Sequence, residues 1–466
     1  MRVHFIGIGG SGMSPLAQIM IGLGASVSGS DVRYSPHLED MSALGAEVYQ
    51  GHDPDRAVRA NMVVASAAVP ADDPELKAAQ LAGVSIVSRA EMLGEIMRTR
   101  RGIGVTGTHG KTTTSGMIAL ILTEAGLDPT IAVGAGLPWL ASGGRAGSGD
   151  FMIAEADEAY GSFLKLDPEI AVVTNIDDDH RDHYGTFEGI LDGFSEYLSR
   201  IKPLGFAVLC ADDPNVALAA SELKRRIVRY GVASEADYTA TEYRASGFGS
   251  RFLALHRGVA LGQVELLVPG MHNMSNALAA IAVCDQIGLD FDAIRRALAK
   301  YTGADRRCQV LAQVNDIVVV DDYAHHPAEI RATLGAIRQA IRGRLVAVFQ
   351  PQRFSRTRLL RDEFARSFSL ADLIAVTEIY YEGTGESPIP GVSGQDLAER
   401  IAAYEGRPVV YLPDKGALER FMSETARPGD TIVTMGAGDI YRTSRSFAEE
   451  LLRSGACPGP SRDGRW

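Results

Sequence analysis

Short apolar runs alternate with longer segments of helical period along almost the whole chain. Runs without polar alternation, bounded by Gly, Asp or Asn, are typical of strands buried on both faces of a parallel sheet. The alternation therefore predicts an α/β fold of parallel sheets layered with helices. The strand-length runs are Val3–Ile6, Met62–Ala65, Gly102–Val105, Ile170–Thr174, Ile317–Val320, Leu345–Phe349, Leu373–Thr377 and Thr431–Thr434, and the clearest helical segments are Thr112–Ala125, Asn276–Ile287, Pro327–Ala340 and Ser393–Ala403.

The length of 466 residues suggests two to four domains. A basic segment at Arg98–Arg101 follows a helical stretch, and a new strand-rich region starts at Val310. We place domain boundaries near residues 99 and 307. Polar and apolar positions alternate in residues 235–268, which favours antiparallel strands. Residues 457–466 are rich in Pro, Gly and charge, and this composition predicts a disordered tail.

The net charge of −12 argues against a general nucleic-acid binder, because affinity for the phosphate backbone needs a basic surface. A small anionic ligand needs only a local cluster of donors. No apolar run approaches the ~20 residues that span a bilayer, and no signal-peptide pattern opens the chain, so we expect a cytoplasmic protein without membrane insertion. Four cysteines without CxxC spacing predict reduced, mostly structural thiols: Cys210, Cys284, Cys308 and Cys457.

A glycine fingerprint, G-x-G-x-x-G, follows the first predicted strand. Glycines allow the backbone to approach a diphosphate, and the start of the next helix supplies N–H donors and positive potential. Asp31 ends the second strand, close to the position that binds a ribose hydroxyl in dinucleotide folds. The pattern predicts a nucleotide-diphosphate site without naming the nucleotide; the alternative is a tight turn without a ligand. Its residues are Gly9, Gly10, Ser11, Gly12 and Asp31.

A second glycine-rich loop joins the strand near Gly102 to a helix. The strict Walker A pattern fails, because Val105 stands where its first glycine belongs. Its working part remains: backbone N–H groups to hold phosphates, Lys111 to bridge β- and γ-oxygens, and Thr112 to ligate Mg²⁺. The loop therefore predicts an ATP site, and its residues are Gly107, Thr108, His109, Gly110, Lys111, Thr112 and Thr113.

Acidic residues follow two further predicted strands. Glu155 comes at the end of one, and Asp177, Asp178, Asp179 and His180 follow the other. Since the carboxyl ends of parallel strands form the ligand crevice, these groups should lie beside the phosphate loop and suit Mg²⁺. The alternative for Asp178 and Asp179 is a solvated acidic turn. His180 and His183 lack the further ligands that a zinc site requires.

Taken together, these motifs resemble the Mur ligases of peptidoglycan synthesis. Three later segments agree, and the similarity extends over about residues 1–455 in order. Within the family, the glycine fingerprint, the His109 form of the phosphate loop and residues 321–327 are most similar to the branch that adds L-alanine. The segments that carry the resemblance are 107–114, 154–158, 174–176 with His180, 270–277, 321–327 and 350–358.

The resemblance implies three domains. Residues 1–99 would form a Rossmann-like domain that binds UDP-N-acetylmuramate, residues 100–306 a central P-loop ATPase-type domain, and residues 307–456 a Rossmann-like domain on the amino-acid side. The implied reaction joins L-alanine to the lactyl carboxylate of UDP-N-acetylmuramate, with ATP and Mg²⁺, through an acyl phosphate. Because ligands from three domains must meet, we expect domain closure, in a monomer or weak dimer.

The resemblance also implies roles for individual residues. Lys111, Glu155 and His180 would be catalytic. Thr112 and Glu155 would hold one Mg²⁺, and His180 a second. Asn273 and Asn276 would face the adenine, since amide groups read a base edge. The remaining assignments place Arg306 on the nucleotide phosphates and His325, Arg353 and Arg356 on the amino-acid side, with His326 and Arg358 expected to be structural or surface residues.

The chain departs from the family pattern at three places. Gln352 stands where alanine ligases often have His, and Ala159-Tyr160 replaces a small polar pair. No Lys occurs between His180 and Ile201 for the carbamylated lysine of sister ligases, and this absence agrees with the branch that adds L-alanine. One alternative is a ligase that joins a recycled tripeptide to the same UDP-sugar. Two others come from different classes: an NAD-dependent oxidoreductase that uses Gly7–Gly12, and a nucleotide-gated regulatory protein.

Overall fold

The computed structural model describes residues 1–10, 12–66, 68–140, 142–178, 181–382 and 384–455. Strands alternate with helices throughout, in sheets that are mainly parallel, so the predicted α/β class is confirmed. The chain divides into two compact units. The first comprises residues 1–244, 250–267 and 271–305, and the second comprises residues 245–249, 268–270 and those from 306 onward.

The N-terminal part of the first unit is a five-stranded parallel sheet in the order β3-β2-β1-β4-β5. The chain runs outward from β1 to β3 and then crosses to β4 on the other side of β1. The loop after β1 therefore lies where the strand order reverses, which is where open α/β sheets bind ligands. The elements are β1 (Arg2–Ile6), α1 (Met13–Gly22), β2 (Ser26–Asp31), α2 (Pro36–Ala43), β3 (Glu47–Gln50), α3 (Pro54–Arg59), β4 (Met62–Ala65), α4 (Pro74–Leu81), β5 (Ser85–Ser88) and α5 (Arg89–Arg98).

A ten-stranded sheet follows, in the order β15-β14-β13-β12-β11-β10-β6-β9-β7-β8. β6 lies between β10 and β9 and is parallel to both. β14 and β15 pair antiparallel, as the alternation in residues 235–268 predicts. The strands are β6 (Arg101–Thr106), β7 (Thr130–Leu137), β8 (Ser142–Arg145), β9 (Phe151–Glu155), β10 (Ile170–Val173), β11 (Phe206–Cys210), β12 (Arg226–Tyr230), β13 (Tyr238–Ser246), β14 (Gly249–His256) and β15 (Val259–Leu266).

The helices α6 and α10 of this region pack against strands of the sheet. Residues Thr112–Leu122 of α6 are all buried, which is typical of a helix enclosed on every side. Such a helix gives the loop at its N-terminus a rigid base. The helices are α6 (Lys111–Glu124), a 3₁₀ helix (Ala159–Lys165), α7 (Arg181–Tyr184), α8 (Phe187–Ser199), α9 (Pro214–Ala219), α10 (Met271–Gln286) and α11 (Phe291–Leu298).

The start of α10 corrects the sequence prediction. The helical period predicts a helix from Asn276, but the helix begins earlier, at Met271. Asn273 and Asn276 therefore lie three residues apart on one helix. Both are buried, so the polar segment belongs to the interior.

The second unit contains a six-stranded sheet in the order β16-β17-β21-β18-β19-β20, parallel except for β16 at its edge. The ends of β17, β21 and β18 are neighbours, and the predicted amino-acid-side residues follow two of these strands. The elements are β16 (Gln309–Val314), β17 (Ile317–Asp322), α12 (Pro327–Ala340), β18 (Leu345–Phe349), α13 (Phe354–Leu359), α14 (Arg361–Ala365), β19 (Leu373–Thr377), α15 (Gly394–Glu405), β20 (Val410–Leu412), α16 (Lys415–Thr425), β21 (Thr431–Met435) and α17 (Ile440–Gly455).

The cores consist of the apolar runs seen in the sequence. All four residues of β10 and all five of β18 are buried, which explains their lack of polar alternation. Cys210, Cys284 and Cys308 are buried free thiols, as predicted, whereas Cys457 and the rest of the predicted tail lie outside the described residues. Among the described helices, none combines the length and apolar character needed to cross a membrane.

Candidate functional site

The phosphate loop lies at the carboxyl end of β6, between the ends of β9 and β10. Two of its glycines adopt positive φ and leave no room for a side chain. At Gly107 (φ 130°) a Cβ would lie 2.1 Å from Thr174 Oγ1, and at Gly110 (φ 83°) it would lie 2.6 Å from Asn276 Oδ1. Glycine is therefore required at both positions.

Asn175 holds the phosphate loop in place, a role that was not predicted from the sequence. Its backbone carbonyl accepts from Thr108 N–H at 3.0 Å, and its side-chain oxygen accepts from His109 N–H at 2.8 Å. Its amide donates to the His109 carbonyl at 2.9 Å, and Thr174 Oγ1 donates to the same carbonyl at 2.6 Å. The available signal was its place directly after a buried strand adjoining β6. The His109 ring lies 3.5 Å from Asp177.

Lys111 begins α6 and turns back over the loop. Its Nζ donates to the Gly107 carbonyl at 2.6 Å and to both carboxylate oxygens of Glu158, at 2.9 and 2.7 Å. Burial would lower the pKa of Lys111, but the charges of Glu158, Asp157 and Glu155 outweigh it and raise that pKa above its ordinary value. Lys111 is therefore charged at neutral pH.

Thr112 and Glu155, the two residues predicted to share one Mg²⁺, lie side by side. Thr112 Oγ1 is 3.1 and 3.0 Å from the two Glu155 oxygens, and Glu155 also accepts from Gly134 N–H at 2.9 Å. A hydroxyl and a carboxylate are hard oxygen ligands of the kind that Mg²⁺ prefers, so this pair fits the ion. His180, predicted as catalytic and as the ligand of a second Mg²⁺, lies outside the described residues.

The two asparagines of α10 lie against the phosphate loop. Thr114 Oγ1 donates to Asn276 Oδ1 at 3.2 Å, and Asn276 Nδ2 lies 3.4 Å from Asn273 Oδ1. Thr113 is buried in the first turn of α6. The structure therefore brings the predicted adenine residues to the loop, although the segments are more than 160 residues apart in sequence.

The first glycine loop is tied to the end of β2. The Ser30 carbonyl accepts from Gly7 and Ile8 N–H at 2.8 and 3.0 Å, and Asp31 Oδ2 accepts from Gly9 N–H at 3.0 Å. Gly10 N–H closes the turn by donating to the Gly7 carbonyl at 3.1 Å, and Gly12 is the N-cap of α1. Predicted Gly9, Gly10, Gly12 and Asp31 are thus brought together, while Ser11 lies outside the described residues.

Arg89 is a candidate that sequence reasoning missed. A Cβ at Gly12 would lie 3.0 Å from Arg89 Nη1 and 3.2 Å from its Cζ, so the guanidinium rests against the loop. Among the described residues, this side chain has no hydrogen-bond or ion-pair partner. The signal was its position: Arg89 directly follows β5, whose carboxyl end lies at the same edge of the sheet as that of β1.

In the second unit, Arg306 is held by its neighbours. Its guanidinium lies 4.9 Å from the ring centre of Tyr323 and 4.5 Å from that of Tyr441, donates to the Gly436 carbonyl, and is 3.5 Å from Asp321. Stacked cation–π contacts of this kind favour one orientation of a guanidinium. The predicted contact of Arg306 with nucleotide phosphates stays a prediction.

The predicted amino-acid-side residues follow β17 and β18. Arg353 has a backbone φ of 68°, and its guanidinium donates to the Glu386 carboxylate at 2.8 Å. Burial would raise the pKa of Glu386, but hydrogen bonds from Ser355 and Arg353 outweigh burial and lower that pKa. A positive φ at an arginine is a strain that functional sites often retain. Arg356 is buried, with Nη1 3.4 Å from Gln352 Oε1.

Two histidines, His325 and His326, follow β17, and His326 has the structural role that the sequence predicts for it. His326 caps α12 by accepting from Ala328 N–H, and Glu329 closes the capping box. His325 Nδ1 lies 3.0 Å from the Tyr323 carbonyl and 3.3 Å from Glu329. Arg358 is exposed, in agreement with its predicted surface location.

Three family profiles match the chain in succession. They are the Mur ligase family catalytic domain over residues 2–101, the Mur ligase middle domain over residues 105–284, and the Mur ligase glutamate ligase domain over residues 306–438. The chain belongs to the Mur ligase family. Its three successive sheets correspond to these three domains.

Curated relatives and solved structures agree with this assignment. A UDP-N-acetylmuramate–L-alanine ligase of Geobacter sp. (strain M21) is 45% identical, with 97% of each chain covered, and that of Geobacter sulfurreducens is 46% identical at the same coverage. The UDP-N-acetylmuramate-alanine ligase structure from Thermotoga maritima has a TM-score of 0.84 at 28% identity, covering 97% of this chain and 100% of that one. A murein peptide ligase from Psychrobacter arcticus has a TM-score of 0.70 at 25% identity, covering 99% and 100%.

Proposed function

We propose that the chain joins L-alanine to the lactyl carboxylate of UDP-N-acetylmuramate at the expense of ATP, a step of peptidoglycan precursor synthesis. The observation that carries the proposal is the sequence identity of 45% and 46% to two L-alanine ligases, over 97% of each chain. The geometry of the phosphate loop supports the ATP-dependent part of the reaction. Lys111 Nζ donates to the Gly107 carbonyl of the loop, and Thr112 Oγ1 contacts the Glu155 carboxylate.

The first chemical step activates a carboxylate that cannot acylate an amine by itself. An oxygen of the lactyl carboxylate attacks the γ-phosphorus of ATP, the bond from that phosphorus to the β,γ-bridging oxygen breaks, and ADP leaves. The product is an acyl phosphate. Lys111 and the loop N–H groups stabilise the negative charge on the transferring group, where electrostatic stabilisation contributes most of the catalysis.

Thr112 and Glu155 fit Mg²⁺, and we propose that they hold it, with His180 as ligand to a second ion. When bound, Mg²⁺ offsets the charge of the phosphate oxygens. The local charge supports this assignment, since Glu155, Asp157 and Glu158 surround the single charge of Lys111.

The second step forms the amide. The neutral amine of alanine attacks the acyl carbon, the bond from that carbon to the phosphate oxygen breaks, and inorganic phosphate leaves with the proton that the amine loses. Arg353 and Arg356 would hold carboxylate or phosphate oxygens by their planar donors, and His325 would lie on the acceptor side.

The N-terminal glycine loop would bind the diphosphate of the UDP-sugar, with Asp31 near the uridine end. We assign Arg89 to the same diphosphate. Arg89→Ala is expected to raise the KM for UDP-N-acetylmuramate by about 10- to 100-fold, since a hydrogen bond to a charged group contributes about 1.5–3 kcal/mol. The KM for ATP should change little.

Steady-state phosphate release measures both constants. Arg98→Ala is a matched control, because Arg98 ends the same helix and pairs with Glu95 and Asp167 instead. An unchanged KM for the UDP-sugar in Arg89→Ala would remove Arg89 from the site.

A substrate panel tests the proposed activity itself. With UDP-N-acetylmuramate and ATP, L-alanine is expected to support phosphate release and formation of the alanyl product. The recycled tripeptide, the substrate of the alternative ligase, should not. Turnover with the tripeptide and none with free alanine would refute the proposal, and phosphate release without any ligated product would favour a regulatory nucleotidase.

A further inference from the structure

Glu158 saturates the ammonium group of Lys111. A lysine ammonium has three protons, and four acceptor oxygens surround this one: the Gly107 carbonyl at 2.6 Å, the Glu158 carboxylate oxygens at 2.7 and 2.9 Å, and the Thr108 carbonyl at 3.3 Å. In this arrangement no proton is directed towards an incoming phosphate. Lys111 must therefore give up a contact before it can bind one.

The pair is largely shielded from water. The Lys111 side chain is 13% exposed and that of Glu158 only 4%. Shielding strengthens the attraction between the two charges and makes it costly to leave either one alone. An exchange of partners avoids that cost, because a phosphate oxygen can replace the carboxylate as Lys111 leaves it.

The two partners differ in mobility. The Glu158 carbonyl accepts from Tyr184 Oη at 2.7 Å and from Gly161 N–H at 3.0 Å, which fixes its backbone in the turn before the 3₁₀ helix. Lys111 instead reaches the carboxylate on a flexible four-carbon stem. The geometry therefore makes Lys111 the partner that moves.

We propose that Glu158 is the counter-ion that Lys111 exchanges for nucleotide phosphate. It keeps the ammonium charged over the phosphate loop, competes with ATP as the nucleotide binds, and takes Lys111 back as ADP leaves. Glu158 is thus a positioning residue that acts through Lys111, and its effect is to weaken nucleotide affinity and speed ADP release. The inference rests on the proposed function in one respect, that this loop binds ATP.

Glu158→Gln tests the exchange, because glutamine retains an acceptor oxygen but lacks the charge. We expect ADP and a non-hydrolysable ATP analogue to bind the full chain about tenfold more tightly, with a slower ADP dissociation rate. Asp157→Asn is the matched control, since Asp157 acts on Lys111 through charge alone and makes no hydrogen bond to its Nζ. We expect it to change both affinities by less than about twofold.

A double-mutant cycle with Lys111→Met separates exchange from simple repulsion between Glu158 and phosphate. If Lys111 exchanges Glu158 for phosphate, the tenfold gain in nucleotide affinity caused by Glu158→Gln should disappear in the Lys111→Met background. An equal gain in both backgrounds, or weaker nucleotide binding by Glu158→Gln, would overturn the proposal. If the unmodified chain binds no nucleotide, the proposed function fails instead. Thermal unfolding of each variant checks folding, and Glu158→Asp, which keeps the charge on a shorter stem, should give an intermediate affinity.

Discussion

Lys111→Met is expected to lower the kcat of ligation by about 10³-fold or more. Methionine matches the length of the lysine stem but cannot donate to a phosphate oxygen. Charge stabilisation by one preorganised donor contributes about 10²–10³ in kcat, and a cation on a transferring phosphoryl group about 10³–10⁵. Phosphate release at saturating substrates measures the loss.

Folding must be separated from catalysis in this variant. Removing Lys111 takes away the cation that the buried Glu158 carboxylate pairs with, which should destabilise the protein by about 3–5 kcal/mol. The double variant Lys111→Met/Glu158→Gln removes both charges and should regain most of that stability. We expect it to unfold near the temperature of the unmodified chain and to remain inactive. Recovery of ligation together with stability would show that Lys111 contributes only to folding.

The overall fold could be predicted because its cause is local. Parallel strands enclosed on both faces need continuous apolar runs, and β10 and β18 carry them. The two glycine loops were predictable for a similar reason: each is a short segment whose backbone must approach phosphate closely. The antiparallel strands β14 and β15 followed from simple alternation.

The start of α10 was predicted wrongly because polar side chains normally indicate solvent. Asn273 precedes the predicted start of the helix, yet Asn273 and Asn276 are both buried in α10, where Asn276 accepts a hydrogen bond from Thr114 beside the phosphate loop. A sequence pattern reports burial only through apolar residues. It therefore fails where a polar group is buried for a binding role.

Contacts between residues that are far apart in the chain could not be predicted from the sequence. Glu158 lies 47 residues from Lys111, and nothing in either segment indicates the pairing. Arg89 reaches the glycine loop only because β1 and β5 belong to one sheet. Arg306 stacks on Tyr441, although the two residues are far apart in the sequence of the second unit. Such partners depend on strand order, which individual motifs do not specify.

Glu155→Gln is expected to lower kcat/KM for ligation by about 10²–10³-fold and to weaken the dependence of nucleotide binding on Mg²⁺. Glutamine keeps the size of the side chain and an oxygen that can accept from Gly134 N–H or Thr112 Oγ1. It lacks the charge that makes a carboxylate a strong ligand of a hard cation. The fold should therefore persist while the affinity for the ion falls.

Two substitutions of Thr112 provide matched controls for this prediction. Thr112→Ser keeps the hydroxyl that faces Glu155 and should retain the Mg²⁺ dependence, whereas Thr112→Val keeps the shape without the hydroxyl and should lose much of it. The decisive measurement is the ratio of ADP dissociation constants with Mg²⁺ and with EDTA, which requires no turnover. An unchanged ratio in Glu155→Gln would exclude Glu155 as a ligand. If both residues hold the same ion, Glu155→Gln combined with Thr112→Val should lower the ratio by less than the product of the separate effects, because the second change acts on a site already lost.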